Sequence, residues 1–417
     1  MPSAVSIYLR RRGVDSKWRL ADLPNGDFYG AVVIPSLAES SSLGLTLASL
    51  AANPQRELSR LMILVVVNNR TDASSHQKYD NLRTLELLPQ WRQQLGLNNL
   101  CWVDAASPGN ELPEVDGVGL ARKIGMDLAL SCLDYSVTEP LLICLDADTT
   151  VQPNYLEAIR AHFASSWSGG ASINYRHQDT CDPAGQAAIE RYELFLRAYV
   201  LGLELAGSPY AFHTVGSAMA CKASSYVAAG GMNRRLAGED FYFLQHLHKV
   251  SGVMSMKGTT VHPSPRASQR VPFGTGRVVG DMLAKGEEKL MFYRPELFEM
   301  LSAWLRAVMQ NTGAESIALL RAAADIEPAM ADYLRQSGFE KAWHNLRMNN
   351  SDMHRLRSAF HSWFDAFRTM RMMHHLTNHG WPRVAPEEAV PPLLEKAGAR
   401  GFYSVSGMLE RLRVMQG

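Results

Sequence analysis

The stretch Leu141-Leu142-Ile143-Cys144-Leu145-Asp146-Ala147-Asp148-Thr149-Thr150 decides how the rest of the chain is read. An apolar run long enough for a buried strand ends abruptly at two carboxylates separated by one alanine. In extended chain, residues two apart face the same way, so Asp146 and Asp148 can address one point beyond the strand. Open α/β sheets place their ligands at the carboxyl ends of their strands. Hard oxygens there suit a divalent cation that holds a phosphorylated substrate. The plainer reading is a strand leaving the core through a polar turn, with Asp148 capping a following helix. What surrounds the pair decides between them.

Upstream, strands alternate with helical patterns. Ala31 to Pro35 reads as a buried strand, and Leu43 to Ala52 has helical apolar spacing. Leu61 to Val67 is a second strand, ending at Asn68-Asn69-Arg70-Thr71-Asp72, and Leu100 to Asp104 is a third. Gly119 to Leu133 is an amphipathic helix that leads to the opening strand. This alternation predicts an α/β fold with a mostly parallel sheet flanked by helices. Past Pro295 the strand signals fade. Leu297 to Val308, Glu315 to Ala324, Pro328 to Leu334 and Ser351 to His375 read as helices, and Pro382 to Pro392 as a loop or linker. The expected division is therefore 1–285 for the α/β part and 286–417 for a helical C-terminal domain, with the change of character near 282–296.

Composition narrows the function classes. With 42 basic and 41 acidic residues the formal net charge is +1, which gives no global field for nucleic acid or an anionic membrane. Apolar content of 46% and charged content of 20% are those of a soluble globular protein. The five cysteines, Cys101, Cys132, Cys144, Cys181 and Cys221, never form a CxxC spacing and read as reduced thiols. Arginines follow the short apolar piece at the N-terminus, the wrong order for a signal peptide, and Leu61 to Val67 is too short to span a bilayer. The expectation is a cytoplasmic protein without an integral membrane segment or a nucleic-acid partner.

Polar groups recur at the predicted strand ends and helix starts. Glu39 follows Pro35; the Asn68–Asp72 turn offers small polar side chains for a base or ribose. Gly117-Val118-Gly119-Leu120-Ala121-Arg122-Lys123 opens a helix with glycines and a cation, a pattern suited to a diphosphate. Gly238-Glu239-Asp240 puts an acidic pair just inside a helix, and Val261-His262-Pro263 puts an imidazole in a proline-stiffened loop. Each has a plain counterpart: a surface Glu39, a snorkelling Arg122, acids complementing a helix N-terminus, a packed His262. Their order and spacing carry the weight.

In that order the pieces resemble the nucleotide-sugar glycosyltransferases of the GT-A fold, closest to glycosyltransferase family 2. The resemblance spans residues 28–265 and departs from the family pattern in three ways. The Asn68-Asn69 turn lacks the acidic residue that often contacts the base; the Gln-x-x-Arg-Trp motif and membrane helices of processive synthases are absent; the helical C-terminal third matches no named pattern. The resemblance implies that Pro35, Glu39, Asn69 and Arg122, with Asp146 and Ala147, line the nucleotide-sugar pocket. It implies Asp148 as ligand to Mg²⁺ or Mn²⁺, Asp146 shared between ribose and metal, and His262 as a further metal ligand. Asp240 would be the general base and Glu239 would orient hydroxyls of donor or acceptor. Arg266, Arg270 and Arg277 form a loop that either grips a diphosphate or anionic acceptor or serves as a solvated connector.

The resulting expectation is a metal-dependent transfer of sugar from a UDP- or GDP-sugar to an acceptor hydroxyl, with inversion. The alternatives are a retaining enzyme of the glucosyl- or mannosyl-glycerate synthase type and a non-catalytic nucleotide-sugar-binding protein. A nucleotidyltransferase would need a Gly-rich basic loop after the first strand, which Pro35 to Glu39 is not. Trp102 and Asp104, at the end of the third strand, either shape the donor crevice or pack in the core. In the C-terminal part, His374, His375 and His379 lack the glutamate of a zinc-protease helix and read as packing residues. Met370, Met372 and Met373 read as core or homo-oligomer contact.

Overall fold

Apolar runs that end in polar residues become the centre of one sheet. The computed structural model describes residues 1–22, 26–267, 274–286 and 290–417. Its strands are β1 (Leu20–Ala21), β2 (Gly30–Ser36), β3 (Leu61–Asn68), β4 (Leu100–Ala105) and β5 (Leu141–Cys144). They are followed by β6 (Thr150–Val151), β7 (Gly170–Tyr175), β8 (Met219–Lys222) and β9 (Val253–His262). The order across the sheet is β1-β4-β3-β2-β5-β8-β7-β9-β6. The contiguous block β4-β3-β2-β5 is parallel, as the alternating pattern predicts, and antiparallel partners extend it on both sides. Every residue of β2, β3 and β5 is buried, which is why these strands read as continuous apolar runs. Pro35 sits inside β2 opposite Val66, yet the pairing of β2 with β5 ends at Val33, so its missing N–H interrupts no ladder on that side.

The first helices are α1 (Ser3–Arg12), α2 (Leu43–Ala51), α3 (Gln55–Leu58), α4 (Ser75–Gln94), α5 (Val118–Leu130) and α6 (Tyr155–Ser165). Then come α7 (Pro183–Leu205), α8 (Ala223–Ala228), α9 (Glu239–Ser251) and α10 (Thr275–Lys285). Helix α5 lies directly on the sheet: a Cβ at Gly125 would collide with the Val33 side chain and come within 3.0 Å of Val66 Cγ2. Its outer side is held by Asp127, a buried acid that accepts hydrogen bonds from Tyr8 (2.9 Å), Lys123 (2.8 Å) and Tyr226 (2.7 Å).

One compact unit comprises Met1–Gln186, Phe212–Gly280 and Gln416–Gly417; the other comprises Ala187–Ala211 and Asp281–Met415. The break after Gly280 lies near the expected change of character. The expected division at 285 and 286 differs chiefly because most of α7 belongs with the helical unit, which also begins at Asp281 and ends at Met415. Leu194, Ala198, Leu201 and Leu203 of α7 join that unit's core, and their burial there overrides their place in chain order.

The helical unit also contains α11 (Pro295–Gln310), α12 (Ser316–Ile326), α13 (Pro328–Gln336) and α14 (Phe339–Asn349). It closes with α15 (Met353–Trp363), α16 (Ala366–Asn378), α17 (Pro386–Lys396) and α18 (Val405–Gln416). The single helix expected over Ser351 to His375 is two, because Asp365 caps a new start by accepting from the Arg368 N–H at 3.0 Å. The expected proline linker is instead α17: Pro386 takes the first helical turn, and Ala389, Val390, Leu393 and Leu394 are buried. Burial of that face outweighs the backbone hydrogen bonds lost at Pro391 and Pro392. His375 and His379 stack with ring centroids 4.0 Å apart, a packing contact rather than a splayed ligand pair. Among the described residues no helix is long and apolar enough to cross a membrane.

Asp127→Ala would leave buried Lys123 and two tyrosine hydroxyls without their acceptor. We expect a loss of about 3 kcal/mol of unfolding free energy, read from the urea midpoint. A loss below about 0.5 kcal/mol, the scale of ordinary surface substitutions, would show that this network does not hold α5 in place.

Candidate active site

The turn after β2 is built by residues of α4. Ala38 has φ of +52°, a left-handed conformation that a non-glycine residue adopts only when its surroundings impose it. They do: the Ala38 N–H donates to Asn81 Oδ1 at 2.8 Å, and Ser40 donates to Asp80 through its N–H (2.9 Å) and hydroxyl (2.6 Å). Asn81 also donates to the Asn68 carbonyl (2.9 Å) and to Asn69 Oδ1 (2.8 Å), so one buried amide ties the ends of β2 and β3 together. These bonds fix Glu39, which is buried and forms an ion pair with Arg266.

At the end of β5 the chain makes a turn closed by the Thr149 N–H donating to the Asp146 carbonyl at 3.1 Å. The two aspartates thus stand on a turn rather than on the strand itself. Their alternation survives: Asp146 and Asp148 are half-buried while Leu145, Ala147 and Thr149 are buried. Thr46 of α2 donates to the Ala147 carbonyl at 2.9 Å. Gln178 donates to the carbonyls of Asp148 (3.2 Å) and His262 (2.7 Å), and Thr150 pairs with His262 across β6 and β9. Sheet pairing therefore delivers a histidine more than a hundred positions away to the segment that carries Asp148.

Arg122 joins the two acidic motifs. Its side chain is buried, with Nη2 donating to Asp146 Oδ1 at 2.6 Å and Nε donating to Glu239 Oε1 at 3.1 Å. Nη1 is buried with no hydrogen-bond partner. Glu239 opens α9 after Gly238, whose φ of +69° is the left-handed bend that brings the acidic pair inward. A Cβ on Gly216 would lie 2.6 Å from Arg122 Nη2 and 3.4 Å from Asp240 Oδ2, so the chain passes over these groups where only glycine fits. Burial, and next the adjacent Glu239 charge, push the Asp240 carboxyl up to about 7. Burial also raises Glu239, opposed by Arg122.

Several expected roles change. Pro35 and Ala147 are buried in the protein interior, and Asn69 spends its amide on Asn81 and the Arg70 carbonyl, so these residues shape the crevice from behind. The glycines of α5 serve packing rather than a diphosphate: a Cβ at Gly119 would come within 2.5 Å of the Asn233 carbonyl oxygen, and the Gly119 N–H donates to the Arg235 carbonyl. Glu239 faces Arg122 instead of an open hydroxyl site. Trp102 is buried and pairs in register with Val65 of β3, the core reading. Arg277 is exposed in the first turn of α10, and Arg270 lies outside the described residues.

Asp146, Asp148 and His262 were expected to gather around a metal. Among the described residues no group of three His, Cys, Asp or Glu side chains converges in this way. Arg122 holds one aspartate, Arg266 lies 2.9 Å from the other, and His262 Nδ1 lies 3.1 Å from the Arg176 carbonyl oxygen. The donor chemistry nevertheless fits a hard divalent cation, because carboxylate oxygens at the strand end already hold a positive group, the Arg266 guanidinium. Asn81, Asp80, Gln178 and Gly216 carry no sequence signal of their own, since each acts through partners distant in the chain.

No protein-family model and no curated protein matches the chain. Among solved structures it is similar in fold to S. aureus TarS 1–349 in complex with UDP-GlcNAc, at 14% identity and TM-score 0.39, over 80% of this chain and 91% of that one. It is also similar to the mannosyltransferase PcManGT from Pyrobaculum calidifontis in complex with GDP-Man and Mn²⁺. That match has 14% identity and TM-score 0.38, and covers 87% of this chain and 95% of that one. A third is glucosyl-3-phosphoglycerate synthase from Mycobacterium tuberculosis with Mn²⁺, UDP and glucosyl-3-phosphoglycerate, at 11% identity, TM-score 0.35, and 61% and 74% coverage.

The raised Asp240 carboxyl predicts a pH signature in stability. The fold favours its protonated form, so that contribution is intact below the ordinary value of 3.8 and is lost as pH rises through about 7. Asp240→Asn should therefore raise the melting temperature more at pH 8 than at pH 4. An equal gain at both values would show that the Asp240 charge is not what strains the site.

Proposed function

We propose that the chain is a glycosyltransferase of the GT-A type that moves a sugar from a nucleotide-sugar donor to an acceptor hydroxyl. The observation that carries this reading is the Arg122 bridge, which sets the strand-end aspartate and the acidic pair of α9 on one guanidinium. The crevice thereby holds two kinds of carboxylate. Asp146 and Asp148 stand at the carboxyl end of a parallel strand, half-exposed and facing cations. Asp240 is half-buried beside Glu239, and desolvation with that like charge holds its proton affinity near neutral pH, where a general base is most effective.

In this mechanism Asp240 takes the proton from the acceptor hydroxyl as that oxygen attacks the anomeric carbon. Glu239 acts from behind: its charge raises the basicity of Asp240, and it fixes Arg122. Asp148 and Asp146 would hold Mg²⁺ or Mn²⁺, with His262 close in the sheet. Such an ion, when bound, supplies positive charge to the departing nucleoside diphosphate. One displacement with one base inverts the anomeric centre, as in family 2. Cytoplasmic conditions suit the buried thiols of Cys101, Cys144 and Cys221.

The test begins with thermal shift against UDP- and GDP-sugars with Mn²⁺, where the true donor raises the melting temperature by mass action. If no nucleotide sugar does so, the donor assignment fails. Asp148→Ala should abolish the metal-stimulated part of donor binding in the same assay, and an unchanged Mn²⁺ dependence would remove that residue from the metal site. Asp240→Asn should keep donor binding and lose about 100-fold or more in turnover, measured as nucleoside diphosphate release with acceptor. Retention of most of the rate would place the base elsewhere.

A further inference from the structure

Arg266 occupies an unusual position for a residue of a connecting loop. It follows β9 by way of His262-Pro263-Ser264-Pro265, and the loop is anchored where the Gln178 N–H donates to the Pro263 carbonyl at 2.9 Å. From there its guanidinium reaches two strand ends at once. Nη2 pairs with Glu39, beyond β2, and lies 2.9 Å from Asp148 Oδ2, beyond β5. Glu39 is nearly enclosed, with side-chain exposure of 7%, whereas Arg266 keeps 32% and Asp148 keeps 22%. The arginine therefore bridges the two strand ends, more exposed than either carboxylate, and stands on the carboxylate proposed for the metal.

A divalent ion on Asp148 would stand within a few ångströms of the guanidinium, and the two positive charges repel. A guanidinium released there has an obvious second partner. Its planar fork matches phosphate as well as it matches carboxylate, and the nucleoside diphosphate would arrive at the same place. We propose that Arg266 exchanges partners when the donor site loads: it leaves Asp148 and Glu39 as the divalent cation arrives, and binds the diphosphate instead. The exchange, which rests on the donor-site reading above, couples metal and nucleotide. Each ligand lifts the same obstacle for the other, so their affinities rise together and reciprocally. No bond is made or broken.

The exchange predicts opposite effects of one substitution on two ligands. Mn²⁺ binding to the whole protein is followed by the electron paramagnetic resonance of free Mn²⁺, first without nucleotide. Arg266→Gln should bind Mn²⁺ about tenfold more tightly than the parent, because one positive charge 2.9 Å from Asp148 is gone, within the usual range of coupling between sites. With saturating Mn²⁺, the same variant should bind UDP or GDP about tenfold more weakly by calorimetry, since the diphosphate loses its arginine. Arg266→Lys keeps the charge, guards against a folding artefact, and should fall between the two. Asp148→Asn should lose Mn²⁺ binding in either background.

Equal Mn²⁺ affinity in the parent and Arg266→Gln, with binding still lost in Asp148→Asn, overturns the exchange and leaves the metal assignment standing. A parallel fall of both affinities in Arg266→Gln also overturns it, because Arg266 would then only support the fold. Absence of Mn²⁺ binding in every variant, with and without nucleotide, overturns both the exchange and the metal assignment.

Discussion

The site depends on one buried guanidinium. Arg122 is enclosed, and a charge in that position is tolerated only when paired. Its two partners come from opposite halves of the α/β unit: Asp146 from the turn after β5, and Glu239 from the start of α9. To place the arginine there, α5 must press against the sheet, which it does because Gly125 brings no side chain against Val33 and Val66. The start of the helix must also nest under the segment at Asn233 to Arg235, which Gly119 permits. Hydrogen bonds from Tyr8 of α1 and Tyr226 of α8 to Asp127 keep the helix in that register. The geometry of the acidic groups is thus inherited from helix packing.

Two arginines divide the work of this crevice according to burial. Arg122 sits on a rigid helix and is spent on holding Asp146 and Glu239 at a set separation. Arg266 comes from a loop, remains partly exposed, and bridges carboxylates that have other potential partners. The first arrangement suits preorganisation, in which polar groups are already oriented before chemistry begins. The second suits a group that changes partners. The carboxylates differ by their neighbours: Asp240 stands beside the like charge of Glu239, whereas Asp146 and Asp148 each face a guanidinium.

Much of this was legible in one dimension, and the reasons are local. The buried strands β2, β3 and β5 announced themselves because both faces are covered, leaving uninterrupted apolar runs. The places of Asp146 and Asp148 beyond a strand end and of Glu239 and Asp240 at a helix start were legible because acids abruptly follow an apolar run or open a helix. The misreadings share a cause. The glycines of α5 resemble a phosphate loop in sequence, yet their amides and absent side chains are used against Asn233, Arg235 and the sheet. Asn69 looked like a ligand-facing turn residue until Asn81 claimed its amide. Pro391 and Pro392 looked like a linker because lost hydrogen bonds are visible locally, while the apolar face that compensates for them is not.

By itself the sequence determined the parallel strands, the helices between them and the acidic groups at their ends. Those properties follow from side-chain periodicity and from backbone conformations set within a few residues. Only the tertiary structure decided the partnerships: Arg122 with both Asp146 and Glu239, Arg266 with Glu39 and Asp148, and His262 opposite Thr150. These pairs span up to 227 positions, as between Glu39 and Arg266. No local preference links residues so far apart. They meet because burying the sheet and its helices leaves their strand ends at one crevice, and charges brought there must find one another.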